Sequence, residues 1–331
     1  MTGPDRAVST VADVTLALLL VVAAIGILAT TVERNGADHD PMAAEYTAQT
    51  IAAGTMNVTY DVEEAVTEYA SLGDGDGDID YSDTDLERLA HGPIGAHAAA
   101  VAVLNLEFDS DALGPEAGQG TVDLWVDGVD YERAVDEKLR TRLVASNFDA
   151  QVIAVWEPLD GGPLRGSAEF GQTPPPDVDV SATTFSVPVD VPSARAEVIE
   201  EGTDPGDFDV VASAVAGTVI EGYFPAERSQ RALESAGVRH DLTAYRYRRM
   251  ARILSTDSND VGDSVVPVLD RRTANATAAN AALKEGLANQ LEPYLEPEDG
   301  ARPAAGPLGN ATVAAERVST GTATITVRTW E

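Results

Sequence analysis

Three short runs decide the fold: Ala150-Gln151-Val152-Ile153-Ala154-Val155-Trp156, then Gly161-Gly162-Pro163, then Leu164-Arg165-Gly166-Ser167-Ala168-Glu169-Phe170-Gly171. The first run is almost wholly apolar and reads as a buried strand. The glycine-proline group signals a turn, and the last run is a second strand, so together they predict a β-hairpin. Just upstream, Val129 to Ser146 carries Ala134, Val135, Leu139, Leu143 and Val144 on one helical stripe. Downstream, Thr173 to Pro176 is a stiff proline break and Asp179 to Val189 alternates as a further strand. A helix followed by a hairpin and another strand indicates a mixed α+β domain.

Further outward, Met42 to Tyr69 begins as helix, and Met56 to Val62 within it alternates like a strand. Thr84 to Leu106 reads as helix interrupted at Gly92-Pro93, and Thr121 to Val126 as a short strand. Beyond Pro205 the chain turns mostly helical, over Phe208 to Tyr223, Pro225 to Leu254 and Thr273 to Leu295. Ala311 to Trp330 reads as one or two closing strands.

Charge dominates the composition: 55 acidic against 22 basic residues, a net charge of −33. Lys138 and Lys284 are the lysines; arginine carries the remaining positive charge. In dilute buffer such a surface repels itself. Molar salt shortens the Debye length to about 3 Å and removes the repulsion, so the composition suits a high-salt cell. Nucleic acid is disfavoured as a partner, because the chain offers no basic face to phosphates. Aromatic residues are only 5 %, which leaves Ala and Val to do much of the packing. There is no cysteine, so disulfides, thiolate catalysis and cysteine zinc sites are excluded.

Val14 to Val32 runs without a charge and ends at Glu33-Arg34. About 19 residues of helix span nearly 30 Å, the thickness of a bilayer core. Arg6 precedes the run, whereas Glu33, Asp38 and Asp40 follow it, which places the N-terminus in the cytoplasm. The sequons at Asn57, Asn275 and Asn310 all follow the run and are candidate glycosylation sites on an exported domain. A cleaved secretory signal and a buried soluble helix are the competing readings of the run.

Arg6-Ala7-Val8-Ser9, set directly before this hydrophobic run, resembles the class III signal of archaeal, and in particular haloarchaeal, type IV pilin-like proteins. Thr10 stands where that family usually has proline. The resemblance implies cleavage by a prepilin peptidase between Ala7 and Val8, with the apolar helix kept as membrane anchor and later as filament core. By the same analogy Asp13 is a candidate assembly contact, near the position at which bacterial relatives carry a glutamate.

The organisation expected is a leader over 1–7, a transmembrane or filament-core helix over 8–32, a linker over 33–41 and an extracellular domain over 42–331, with a possible sub-boundary near 173–205. The fold class is accordingly α+β: an N-terminal transmembrane helix followed by a mixed α/β extracellular head with antiparallel strands.

Candidate chemistry is sparse. Asp74, Asp76, Asp78, Asp80 and Asp83 are candidate calcium ligands. With Asp74 and Asp76 as third and fifth ligands, Gly77 falls at the turn and Asp83 closes the loop. Leu72 then occupies the first ligand position and offers no oxygen, and a solvated acidic loop is the other reading. Arg239, Arg246, Arg248, Arg249 and Arg252 form a basic cluster, read either as internal ion pairs or as a dock for a neighbour's acidic face. His39, His91, His97 and His240 make no metal motif, and there is neither a nucleophile elbow nor a phosphate loop. No catalytic residue and no organic cofactor is therefore expected. The function expected is a non-enzymatic, minor pilin-like or pseudopilin-like subunit of a cell-surface assembly. Its partners would be the membrane, other pilin-like subunits, an assembly platform and the prepilin peptidase. A single-pass surface protein without a filament role and an exported hydrolase are the alternatives.

Overall fold

The computed structural model describes residues 43–71, 81–109, 121–123, 129–143, 149–194, 207–255, 260–295 and 311–330. The first helix, α1 (Ala43–Ala53), buries Ala43, Ala44, Thr47, Ala48 and Ile51. It is followed by β1 (Thr55–Asp61) and α2 (Glu63–Ser71), then by the short α3 (Asp83–Leu86) and β2 (Glu87–Pro93). Strands β1 and β2 form an antiparallel pair in which Tyr60 faces Arg88 and Val58 faces Ala90.

Helix α4 (Ile94–Leu104) is alanine-rich and leads into β3 (Leu106–Asp109). Next come β4 (Thr121–Asp123), α5 (Val129–Leu143), β5 (Asp149–Trp156), β6 (Leu164–Gly171) and β7 (Ser181–Pro188). The chain then becomes helical: α6 (Phe208–Tyr223), α7 (Ala226–Glu234), α8 (Val238–Leu254), α9 (Val261–Val265), α10 (Ala276–Leu295) and α11 (Ala311–Glu316). It closes with β8 (Thr322–Trp330).

Six strands form an antiparallel sheet in the order β4-β3-β6-β5-β8-β7. The last strand in sequence enters between β5 and β7, so the sheet is complete only when the C-terminus is in place. The register sets Val152 opposite Phe170 and Val327, and Ala154 opposite Ala168 and Ile325. These residues are buried on one face. On the other face Ser167, Glu169 and Thr324 are exposed, as the two-residue period requires. Helices α1 and α4 lie on the buried face. Helices α6, α7, α8 and α10 pack on one another and share one continuous core with the sheet.

The hairpin and α5 form as the spacing predicts. Two segments differ. Glu87–Pro93, expected as helix, is a strand, because pairing with Thr55–Asp61 outweighs the helical preference of its Glu, Arg, Leu and Ala residues. The expected closing strands are one strand preceded by α11, whose Ala311, Ala314 and Ala315 face the core.

The fold class needs a larger correction. The protein is α+β with antiparallel sheets, but the N-terminal transmembrane helix is not supported. Among the described residues no helix is long and apolar enough to cross a membrane. The most apolar helices, α4 and α6, have 11 and 16 residues. They span only about 16 and 24 Å against a bilayer core of about 30 Å. Their apolar character answers to burial in the protein core. Val14 to Val32, on which the expectation rested, lies outside the described residues.

Candidate functional site

One large cleft of about 890 Å³ opens between the β1–β2 pair, α4 and the helices that follow the sheet. Its floor is one face of α4, where Ala96, Ala100, Val103 and Leu104 recur at helical spacing. Small residues on that face leave room above the helix.

The walls carry arginine. Arg88 comes from β2, beside Tyr60, its cross-strand partner. Arg228 and Arg231 come from α7, three positions apart and therefore on one face. Arg239 and Arg246 come from α8, seven apart, with Leu242 and Thr243 between them. Among the described residues that line the cleft, Asp190 is the one carboxylate. The chain as a whole has 55 acidic and 22 basic residues, so five arginines against one aspartate invert its charge ratio locally.

Arg88 donates through Nη1 to the Asp85 and Glu87 carbonyl oxygens, which holds its guanidinium in place. The ion pairs Arg133–Asp130, Arg140–Asp136 and Arg165–Glu157 lie outside the cleft. Arg228, Arg231 and Arg239 pair with no described carboxylate. Arginine is the suitable cation here: its planar fork is weakly hydrated and binds oxyanions through two parallel N–H bonds.

Next to the floor, His97 is 5 % exposed and lies between two oxygens. Its Nε2 is 3.3 Å from the Met56 carbonyl, which can only accept, so Nε2 carries the proton. Nδ1 then accepts from the Tyr131 hydroxyl at 2.8 Å. Burial pushes the imidazole pKa down, against the Met56 hydrogen bond and with some help from His91. Burial likewise pushes the Tyr131 hydroxyl up, so it stays a donor. Because the folded pKa lies below 6.5, the unfolded chain binds the extra proton first on acidification. This contribution to stability is full above pH 6.5 and is lost as pH falls from there through the folded value. In urea titrations across this range, wild type is expected to lose stability more steeply than His97→Gln. Equal slopes would show that His97 does not titrate as described.

The sequence candidates separate in three dimensions. Of the predicted arginine cluster, Arg239 and Arg246 enter the cleft. Arg248 instead sits over the Tyr69 ring, 5.7 Å from its centroid, Arg249 is half-buried away from the cleft, and Arg252 is exposed. Arg88, Arg228 and Arg231 were not expected. The three-residue repeat in α7 was a readable signal, but Arg88 is brought in by strand pairing. His91 is exposed on β2, with Nδ1 2.5 Å from Asn57 Oδ1. His240 Nδ1 is 2.7 Å from the Leu233 carbonyl.

Asn57 is exposed on β1. Asn275 is exposed at the start of α10, where its Oδ1 accepts from the Ala278 amide at 3.0 Å. Asn310 lies outside the described residues, as do Arg6, Ala7, Val8, Asp13, His39, Asp74, Asp76, Asp78 and Asp80. Asp83 begins α3, and its side chain is also outside them. Among the described residues no group of three or more His, Asp or Glu side chains could hold a metal ion.

Residues 12–330 match a family of unknown function, DUF7284. The chain belongs to that family. The match takes in the apolar run at Val14 to Val32 as well as every described residue, so the DUF7284 unit includes both. No curated protein and no solved structure matches the chain.

Proposed function

We propose that this DUF7284 protein is a non-catalytic, pilin-like structural subunit of an archaeal cell-surface assembly, exported and held at the membrane through its N-terminal segment. The observation that carries this reading is the seat of α1. Directly after that segment the chain enters the head as a helix whose Ala44, Ala48 and Ile51 are at most 4 % exposed. Helix α1 lies across β7 and β8, and β8 is hydrogen-bonded on both sides. A pull on the N-terminal segment would therefore be resisted by the packing of α1 against the sheet. That is the mechanical coupling a subunit needs when it is lifted into an assembly. The family match supports the reading, because it joins the apolar run to the head as one unit.

Acidic surface and apolar run divide the work. The head, at a net charge near −33 for the whole chain, stays solvated in brine, while the apolar residues seek lipid or one another. N-terminal sequencing of the protein from isolated membranes is expected to read Val8-Ser9-Thr10. An intact Met1 in the same fraction would favour a single-pass surface protein without pilin-type processing. A native product free in the medium and starting beyond Thr31 would refute both.

A further inference from the structure

We infer that the arginine-walled cleft is a binding site for an organic phosphate: a compact apolar body carrying a phosphate head. This goes beyond the structural role proposed above and does not depend on it.

Four observations converge. The first is charge. In a chain with 33 more acidic than basic groups, a cleft whose described lining holds five arginines and one aspartate stands apart from the composition. The second is pairing. An exposed arginine gains little from an ion pair, so one without a carboxylate is free to meet an anionic ligand. Arg228, Arg231 and Arg239 have no carboxylate partner among the described residues, and α7 and α8 hold them at one opening.

The third is the floor. Ala96, Ala100, Val103 and Leu104 with Leu242 make an apolar surface below the guanidiniums. A bare inorganic ion would leave this surface wet; a ligand with an apolar body would cover it. The fourth is size. About 890 Å³ lies within the range of small-molecule sites.

Phosphate fits better than carboxylate because the lining arginines stand on three elements, β2, α7 and α8. A carboxylate occupies one fork, whereas a phosphate presents three acceptor oxygens and up to two charges. At molar salt long-range attraction is screened, so direct bidentate contacts carry the recognition. Such a ligand could be a soluble metabolite or the headgroup of a lipid, and the two share this chemistry.

The test is calorimetric titration of the purified full chain in molar NaCl with hexyl phosphate and, separately, inorganic phosphate. Hexyl phosphate is expected to saturate one site at least about tenfold more tightly than inorganic phosphate, reflecting several buried methylenes. Arg228→Ala/Arg231→Ala is expected to weaken hexyl phosphate about tenfold or more, as loss of charged hydrogen bonds does. Arg133→Ala, outside the cleft, should leave binding unchanged. Both variants alter exposed side chains, and their melting curves should match wild type.

Flotation with phosphatidylglycerol and phosphatidylcholine vesicles separates the sources. A phosphatidylglycerol preference that Arg228→Ala/Arg231→Ala abolishes assigns the site to a lipid headgroup. Hexyl phosphate binding without that preference assigns it to a soluble ligand. The proposal is overturned if hexyl phosphate binds no better than inorganic phosphate, or if the double variant binds as wild type. Binding of an acidic peptide in the cleft with no hexyl phosphate binding would overturn it in favour of a protein partner.

Discussion

Gly166→Val is expected to unfold the head or to lower its stability by about 4 kcal/mol or more, a large share of the ~5–15 kcal/mol typical of a folded domain. Gly166 lies on the buried face of β6, paired with Leu106 on one side and Trp156 on the other. Helix α4 crosses directly above it. A Cβ at this position would stand 2.9 Å from the Ala102 carbonyl carbon and closer still to its oxygen. The obstacle is backbone, so no rotamer change relieves it. The helix would have to lift off the sheet, and with it Ala98, Ala99 and Ala102, each at most 1 % exposed. Urea unfolding in molar salt measures the loss. Ser167→Val, one residue on and on the exposed face, is the control and should be near neutral. A Gly166→Val midpoint close to wild type would mean that α4 does not approach the sheet as described.

The second large effect is expected from Trp156→Ala, at about 3–5 kcal/mol. Trp156 is fully buried at the end of β5. Its indole N–H donates to the Thr320 carbonyl at 2.8 Å, and its ring meets Tyr223 edge to face at 6.4 Å. Tyr223 in turn donates through its hydroxyl to the Val103 carbonyl on α4, at 2.5 Å. One side chain thus ties the sheet to the turn before β8 and to the last turn of α6. Thr320 adds to the knot, accepting from the Ala194 amide and donating to the Pro192 carbonyl. Trp156→Phe keeps most of the packing and removes the N–H, so about 1–2 kcal/mol is expected, the penalty of an orphaned buried carbonyl. If the alanine variant cost no more than the phenylalanine variant, packing would not be the main role of the indole.

These sites differ in how far the sequence announces them. Trp156 ends an apolar run and is expected in the core. Gly166 looks like any glycine in a strand, and only the crossing of α4 shows why a larger residue cannot stand there. Gly171, five residues further on, is different again: its φ of +89° needs glycine for the backbone itself, where β6 ends.

The cleft shows the same division. The α8 arginines were visible as a cluster, yet only Arg239 and Arg246 face the opening, since Arg248 and Arg249 are rotated round the helix from them. Arg88 was hidden because its segment reads as helix and folds as strand. As helix, Arg88 and Ala90 would diverge; as strand they share the face that lines the cleft.

By itself the sequence determined what depends on neighbours along the chain: the β5–β6 hairpin, the amphipathic α5, the helices after Pro205 and the acidic surface. Each follows from side-chain period or composition, which covalent spacing sets directly. Tertiary structure decided the strand identity of Glu87–Pro93, the insertion of β8 between β5 and β7, and the meeting of arginines from β2, α7 and α8. Those outcomes rest on free energy gained between segments far apart in the chain, and local period carries no record of which distant segment will supply it.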